Sequence, residues 1–195
     1  MAESFLVDEP PETKERLDAR TDPELIAAIN GGDAAAFEAL YHRYRDWVVH
    51  LAARLTGDEN LALDVLQETF LYVLKKFPGF RLTAQFKSFL YPAVRNLSIA
   101  ARRKAKRLQS DETELQSLAD TAAPSGPAAL GDLALALDGL PAEQREVLLL
   151  RFVDGLSLAE VAEAMDIPLG TVKSRLHNAL ATLRRDPRTR EFFES

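Results

Sequence analysis

The chain has 195 residues and a formal net charge of −6 at pH 7, and its 47% hydrophobic and 28% charged residues suit one large or two small globular domains. It contains no cysteine, which excludes disulfides and thiolate metal sites, and its three histidines lie on different segments without metal-ligand spacing. No apolar run reaches membrane-spanning length and the N-terminus lacks a signal-peptide pattern, so we expect a cytoplasmic protein with no membrane partner.

The N-terminal segment predicts a tail followed by two helices. Residues 1–20 are acidic, contain two adjacent prolines and lack periodicity, as is typical of a flexible tail. Thr21 and Glu24 have the spacing of a capping box, which starts the first helix. A Gly-Gly-Asp sequence at 31–33 ends that helix and caps a second one, whose apolar residues recur at 3.6-residue spacing as far as Leu55.

Two further helices complete the N-terminal unit. The third is predicted at about 60–77 and the fourth at about 85–107, with a Pro-Gly pair between them. No segment alternates at a period of two, so we predict no strand.

The C-terminal part predicts a linker and a second helical unit. Residues 109–130 are acidic and rich in small residues, which is typical of a linker. Residues 131–186 contain a helix begun by a proline, a short helix that opens with a second capping box, and a final helix. We therefore predict an all-α fold: two small helical domains, residues 21–108 and 131–186, joined by the acidic linker and followed by a short tail at 187–195.

The final helix contains the sequence GTVKSRLHNALATLRR and has two distinct faces. Its apolar stripe consists of Leu169, Val172, Leu176, Leu180 and Leu183. The opposite face combines short polar residues with cations: Thr171, Lys173, Ser174, Arg175, His177, Asn178 and Arg185. A solvated helix face has a similar composition, but the capped helix and short turn before it form a helix-turn-helix layout. There the second helix enters the major groove, where Asn reads adenine and Lys or Arg holds phosphates.

The charge distribution also suggests nucleic acid. Residues 25–108 carry thirteen basic and seven acidic residues, whereas residues 109–146 carry one basic and eight acidic residues. The cations concentrate in the sequence RNLSIAARRKAKR, and four aromatic residues lie just upstream: Phe80, Phe86, Phe89 and Tyr91. Cations beside aromatic rings suit a single strand with unstacked bases, although a helix C-terminus also favours cations and some of these rings must belong to the core.

The third helix also has two faces. One is apolar and is predicted to be buried: Leu63, Leu66, Phe70, Val73, Leu74 and Phe77. The other is polar with a single leucine set into it: Asp64, Gln67, Glu68, Leu71 and Lys75. An isolated surface leucine is common, but an apolar anchor ringed by polar groups is also typical of a protein-docking face. Composition alone leaves both interpretations open.

Together these motifs resemble those of bacterial RNA polymerase sigma factors. The sequences GDAAAFEALYHRY, ALDVLQETFLYVLKKF, FKSFLYPAVRNLSI and LPAEQREVLLLRFVDGLSLAEVAEAMDIPLGTVKSRLHNALATLRR occur in the order found in that family. The two-domain form without an intervening third domain is similar to the extracytoplasmic-function (ECF) group. The resemblance covers residues 22–108, which are similar to region 2, and residues 131–186, which are similar to region 4.

The resemblance implies a protein without catalysis of its own and without a cofactor or metal, whose partners are core RNA polymerase, promoter DNA and, in many members, an anti-sigma factor. Region 2 of such proteins docks on the β′ clamp helices and captures the melted −10 strand, whereas region 4 contacts the β flap and reads the −35 duplex. The matching polymerase-binding positions are Asp64, Gln67, Glu68 and Leu71. The matching −10 positions are Phe80, Arg81, Gln85, Lys87, Ser88, Arg95, Asn96, Arg102 and Arg103. The matching −35 positions are Thr171, Lys173, Ser174, Arg175, His177 and Asn178.

Two departures from the family pattern affect these expected sites. Pro92 stands where Arg is common, and it should kink the fourth helix or move its start. Asn178 stands where Arg is common, which favours a different −35 preference, toward adenine at that contact.

Two alternative functions share some of these features. A stand-alone helix-turn-helix regulator would bind duplex DNA tightly without polymerase, but the N-terminal motifs and the lack of a dimerisation stripe disfavour it. An enzyme acting on nucleic acid would need acids that hold a metal. Asp64 and Glu68 lie one helical turn apart, yet no third ligand or base accompanies them.

Overall fold

The computed structural model describes residues 18–112 and 128–189, and within those residues it contains eight helices and no strand. The helices are α1 (Asp22–Asn30), α2 (Ala34–Thr56), α3 (Glu59–Leu74), α4 (Phe86–Glu112), α5 (Ala128–Asp138), α6 (Ala142–Phe152), α7 (Leu158–Met165) and α8 (Leu169–Arg185). The predicted all-α class is confirmed. None of the helices in the described ranges is long and apolar enough to cross a lipid bilayer.

The predicted capping patterns are present at the helix starts. The Thr21 backbone N–H donates to the Glu24 carboxylate at 2.6 Å at the start of α1. The Asp33 side chain accepts a backbone N–H from the first turn of α2 at 3.1 Å. Ser157 and Glu160 form the second capping box, at the start of α7. Local sequence therefore determines where these helices begin, because each cap satisfies an otherwise unpaired backbone group.

The end of the predicted N-terminal tail is attached to α2. The Arg43 guanidinium donates to the backbone carbonyls of Asp18 and Arg20, both at 2.7 Å. It also pairs with the Asp22 carboxylate at 2.6 Å. The last three residues of the predicted tail are thus held in place, because a half-buried guanidinium needs several acceptors. The rest of the tail, residues 1–17, lies outside the described ranges.

Helix α4 passes through its proline without interruption. It begins at Phe86, six residues before Pro92, so the proline does not move the helix start. Pro92 is exposed, whereas Phe86, Leu90 and Val94 are buried on the other side of the helix. Burial of these three side chains stabilises the first turns of α4 against the loss of one backbone hydrogen bond at the proline.

Helices α4 and α5 both extend into the segment predicted as linker, residues 109–130. Helix α4 continues to Glu112, and α5 already begins at Ala128. The α5 sequence AALGDLALALD is rich in Ala and Leu, which are the strongest helix formers, and this propensity outweighs its small-residue composition. The remaining linker residues, 113–127, lie outside the part of the chain that the structure describes.

Helices α7 and α8 form the predicted helix-turn-helix. Helix α7 ends at Met165 and is followed by Asp166 in the left-handed conformation (φ 53°), and α8 begins directly after Pro168. The stripe predicted for α8 is mostly confirmed, with Leu183 and Val172 buried. Leu169 is a correction, because it is 41% exposed at the first position of the helix.

The two helical units share a continuous apolar core. In it, buried residues of α1 to α4 join buried residues of the C-terminal unit, namely Val147, Leu150, Leu156, Val161, Ala164 and Val172. Helix α4 packs directly against α7. A second, smaller core holds α5, α6 and α8 together through Ala136, Leu140, Leu148, Ala179 and Leu183. The first half of α4 consequently faces the C-terminal unit.

Candidate nucleic-acid interfaces and docking face

The predicted polymerase-binding residues lie together on one exposed side of α3. Asp64, Gln67, Glu68 and Leu71 are all exposed, and the Leu71 side chain is 55% accessible to solvent. The side of α3 that packs on α2 and α4 consists of Ala62, Val65, Leu66, Thr69, Phe70 and Val73. The sequence therefore placed the polar face of this helix correctly.

The exposed side of α3 is more apolar than expected. Leu63 and Leu74, predicted to be buried, are 50% and 48% exposed, and Phe77 lies beyond the end of the helix. The prediction failed because the real core stripe is centred on Val65, Phe70 and neighbouring residues, which rotates Leu63 and Leu74 outward. Leu63, Leu71 and Leu74 follow helical spacing along the same side as Gln67. We call this surface, formed by Leu63, Asp64, Gln67, Glu68, Leu71 and Leu74, the docking face.

The loop between α3 and α4, residues 75–85, is held by a side chain that sequence analysis did not single out. The Asn30 Oδ1 accepts the backbone N–H groups of Gly79 and Phe80 at 2.6 and 3.0 Å. Its Nδ2 donates to the Phe80 carbonyl at 2.8 Å. Because Asn30 is the last residue of α1, one amide fixes the α3–α4 loop to a helix fifty residues away. Its only sequence signal is an asparagine at a helix end, which ordinary helix termination also explains.

A cavity of about 170 Å³ lies beside the α3–α4 loop. Its lining residues are Phe80, Arg81, Leu82, Thr83, Ala84, Ser88, Phe89 and Glu163. The Phe80 and Phe89 rings pack against each other with their centroids 4.7 Å apart. Arg81 and Gln85 are exposed on the loop. Glu163 belongs to α7, so the C-terminal unit contributes a carboxylate to a cavity that otherwise consists of N-terminal residues.

The predicted −10 residues on α4 divide into a covered and an exposed group. Lys87 Nζ donates to the Asp154 carbonyl at 2.9 Å, and the Ser88 hydroxyl donates to the Glu160 carbonyl at 3.2 Å. Arg95 Nε donates to the Glu146 carboxylate at 3.1 Å. The exposed group, further along the helix, is Asn96, Arg102 and Arg103. We call Lys87, Ser88, Arg95, Asn96, Arg102 and Arg103 the strand face.

The acidic partners of the strand face are residues that sequence analysis missed. Asp154 is only 4% exposed, and its carboxylate pairs with Arg54 of α2 while its carbonyl accepts from Lys87. Glu146 of α6 accepts from the Tyr91 hydroxyl as well as from Arg95. Burial raises the pKa of Tyr91 well above its usual range, and the Glu146 carboxylate raises it further. The phenol therefore stays protonated and acts as the donor. The acidity of residues 109–146 was a signal for Glu146 alone, and it did not indicate where that side chain lies, whereas Asp154 falls outside the acidic segment.

The predicted −35 residues lie on the outward side of α8. Lys173, Ser174, His177 and Asn178 are exposed, and Thr171 is half-buried. Arg175 differs from them: its side chain is 22% exposed and pairs with Glu143 of α6. Five of the six predicted −35 residues are therefore accessible or partly accessible to solvent. The sixth, Arg175, is held against the Glu143 carboxylate.

A second cavity, of about 390 Å³, lies between the two units. Its charged lining comprises Arg95, Arg175, Glu143, Glu146, Glu163 and Asp166. Across the described residues, no group of three or more His, Cys, Asp or Glu side chains has the geometry to hold a metal ion. Asp64 and Glu68, the pair considered for metal-dependent chemistry, stand on the exposed docking face.

The sequence matches two families, in the order that the motifs suggested. Residues 40–108 match the family described as "Sigma-70 region 2", and residues 130–183 match the family described as "Sigma-70, region 4". The chain is 30% identical over 177 residues to the ECF RNA polymerase sigma factor SigW of Bacillus subtilis, which covers 84% of this chain and 95% of that protein. It is also 30% identical over 173 residues to the ECF RNA polymerase sigma-E factor of Escherichia coli, covering 82% and 90%.

Two solved structures resemble the fold. One is the sigma factor RpoE in complex with the anti-sigma factor NepR from Bartonella quintana, with a TM-score of 0.56, 27% identity and coverage of 76% of this chain and 94% of that one. The other is CnrH in complex with the cytosolic domain of CnrY, with a TM-score of 0.60, 26% identity and coverage of 83% and 93%.

Proposed function

The chain belongs to the ECF group of bacterial RNA polymerase sigma factors, and we propose how its described residues contribute to promoter recognition. It binds core RNA polymerase and directs transcription initiation at promoters. The observation that carries this function is the presence of both sigma regions on one chain, in order, with 30% identity to SigW over most of both proteins. A stand-alone regulator is not favoured, because such a protein has no use for region 2.

The docking face of α3 is the proposed contact with the β′ clamp helices. Three exposed leucines, Leu63, Leu71 and Leu74, lie among the polar residues Asp64, Gln67 and Glu68. Such an arrangement suits an interface with an apolar centre and a polar rim. No other helix of the described chain covers this side of α3, so it is available to polymerase in the free protein.

The α3–α4 loop and the strand face are the proposed site for the melted −10 strand. The cavity beside the loop is bordered by two aromatic rings and by Arg81, which suits an unstacked base and its phosphate. The Asn30 amide supports this assignment, because three hydrogen bonds hold the root of the loop in one geometry before DNA arrives. The cations of α4 would then follow the strand backbone.

Helix α8 is the proposed reader of the −35 duplex. Its outward side presents Ser174, Asn178 and His177 to the groove, and Lys173 is placed for phosphate. Asn178 is the residue with the most specific chemistry, because its side-chain amide can form hydrogen bonds with both N6 and N7 of adenine in the major groove. We propose that the β flap contacts the same C-terminal unit.

The chemical step of transcription belongs to core polymerase, and we propose that this chain supplies recognition without catalysis. Sigma factors are transcription initiation factors. We also propose that the chain acts in the cytoplasm, where core polymerase and chromosomal DNA are found. Since RpoE is solved in complex with the anti-sigma factor NepR, a partner of that class is proposed for this chain as well.

Co-elution of the full chain with bacterial core RNA polymerase on size exclusion tests the main assignment. We expect a stable complex that initiates transcription in vitro, and sequencing of the transcripts would then define the −10 and −35 elements. Tight binding of duplex DNA by the chain alone, without a polymerase complex, would contradict the proposal and favour the stand-alone regulator.

A further inference from the structure

Arg175 differs in direction from the other predicted −35 residues of α8. On a helix with 100° per residue, it lies about 60° from the buried Val172 and about 60° from the outward Asn178. Its side chain is 22% exposed, and its guanidinium pairs with the carboxylate of Glu143 in the first turn of α6. Arg175 is therefore directed sideways, toward a neighbouring helix of its own domain.

The surroundings of Arg175 within the C-terminal unit are acidic. Arg175 lines the cavity of about 390 Å³, to which the C-terminal unit contributes four carboxylates: Glu143, Glu146, Glu163 and Asp166. A guanidinium stays charged and needs several oxygen acceptors. These carboxylates stabilise Arg175 where it lies, on the protein side of α8.

The N-terminal half of α8, which bears the proposed −35 residues, is weakly anchored by apolar packing. Of residues 169–177, only Val172 is buried, and Leu169 is exposed. The C-terminal half of the helix contributes two buried residues, Ala179 and Leu183, to the smaller core. Because a single buried side chain resists rotation of a helix poorly, the ion pair from Arg175 to α6 supplies a second point of attachment.

From this arrangement we infer that Glu143 and Arg175 are positioning residues for −35 recognition: their ion pair fixes the rotation of α8 about its axis, and with it the direction in which Asn178 meets the base edge. The inference rests on the proposed −35 reader. It removes Arg175 from the residues that touch DNA. It also gives Glu143, which sequence analysis did not single out, a part in base selectivity.

A double-mutant cycle on the holoenzyme tests this role. Base preference is measured by transcription from a promoter library randomised at the −35 element, with core polymerase and the full chain. We expect Glu143→Gln and Arg175→Gln each to lower the preference at the position read by Asn178 about threefold, as suits a partly exposed ion pair. The double variant should be no weaker than either single one, because both changes break the same contact.

The salt dependence of promoter binding separates positioning from DNA contact. Loss of one phosphate contact lowers the slope of log K against log [NaCl] by about 0.9. Arg175→Gln should leave this slope unchanged, since Arg175 is paired within the chain. Lys173→Ala, at the proposed phosphate contact, should lower it by about that amount. Anisotropy of a labelled promoter fragment, titrated with holoenzyme between about 50 and about 200 mM NaCl, gives the slope.

A second ion pair of the same domain provides a matched control. Arg145 and Asp138 pair at 2.8 Å with side-chain exposures of 33% and 70%, close to the 22% and 68% of Arg175 and Glu143. This pair joins α5 to α6 and does not involve α8. Asp138→Asn should therefore leave the −35 preference unchanged. Thermal melting followed by circular dichroism verifies that each variant is folded.

The outcomes distinguish the positioning role from the proposed reader. Unaltered preference in both single variants, while Asn178→Ala weakens it, would overturn the positioning role alone. A lower salt slope in Arg175→Gln, or a double variant weaker than both single ones, would show that Arg175 contacts DNA. An equal loss in Asp138→Asn would show a general effect of stability and would also contradict the inference. If Asn178→Ala changes no preference either, the −35 reader is misassigned and the positioning role falls with it.

Discussion

The docking face on α3 and the strand face on α4 lie in the same domain but differ in accessibility. On α3, three leucines are about half exposed and no part of the described chain covers them. On α4, two of the cations and a buried serine are already bonded to the C-terminal unit. Similar helix amphipathicity thus produces an open partner surface in one case and an occupied one in the other, and only the position of the second domain makes the difference.

The open face gives the largest expected effect. Leu71→Arg should weaken binding to core RNA polymerase by at least about 2 kcal/mol, roughly thirtyfold in Kd, because a cation would replace the apolar centre of the interface. Titration of labelled protein with core polymerase measures this. Leu135→Arg is the matched control, since Leu135 is exposed to 57% on α5 and lies outside the docking face. Equal affinity of the wild type and both variants would place the polymerase contact elsewhere.

A third surface, on α8, extends the comparison to a reader that is open like the docking face. Asn178→Ala should weaken the base preference at one −35 position by about 1–3 kcal/mol, because alanine cannot form hydrogen bonds with N6 and N7 of adenine. Transcription by holoenzyme from a library randomised at the −35 element measures this preference. Thr182→Ala, one turn further along the exposed side, should leave it unchanged. A preference unaltered at every −35 position would remove Asn178 from the reader.

Asn30 tests whether the α3–α4 loop beside the strand face is preorganised. Asn30→Ala removes three hydrogen bonds from the α3–α4 loop and should lower selectivity at the −10 element about fivefold, as expected for a net loss near 1 kcal/mol. Asn30→Asp keeps the acceptor and should have a smaller effect. The readout is base preference in a −10 promoter library, compared with Asn60→Ala, an exposed control on α3. A variant that melts earlier but keeps its base preference would show that Asn30 supports only the fold.

The smallest expected effect is that of salt concentration on the ion pairs between the two units. Raising NaCl from about 50 to about 500 mM shortens the screening length several-fold and weakens the half-exposed Arg95–Glu146 pair more than the buried Arg54–Asp154 pair. The chain has no cysteine, so dyes can be attached at His50→Cys on α2 and Thr182→Cys on α8, which are both exposed positions. We expect a partial fall in energy transfer between these dyes, with the thermal unfolding midpoint of the N-terminal unit little changed. Energy transfer that is independent of salt, and that is also unaltered in Arg54→Gln, would mean that apolar packing alone holds the units together.

Sequence reasoning succeeded where a local pattern has one physical outcome. The capping boxes at Thr21 and Ser157 start helices because they satisfy backbone groups within four residues. The polar side of α8 could be predicted from helical periodicity, and the exposure of Leu71 from the polar residues around it. The errors came where several apolar residues competed for one stripe: Leu63 and Leu74 were assigned to the core of α3, and Leu169 to that of α8, but all three are exposed.

The all-α class, the helix-turn-helix and the family could be predicted from the amino-acid sequence, because caps, 3.6-residue periodicity and short motifs depend only on residues that are close together in the chain. Tertiary structure alone decided which donors are free. Asn30 meets Gly79 and Phe80 across about fifty residues, and Arg54 meets Asp154 across a hundred. No local pattern specifies such pairs, because the first depends on how elements pack within the N-terminal unit and the second on how the two domains pack together. That packing leaves the docking face open and occupies the strand face.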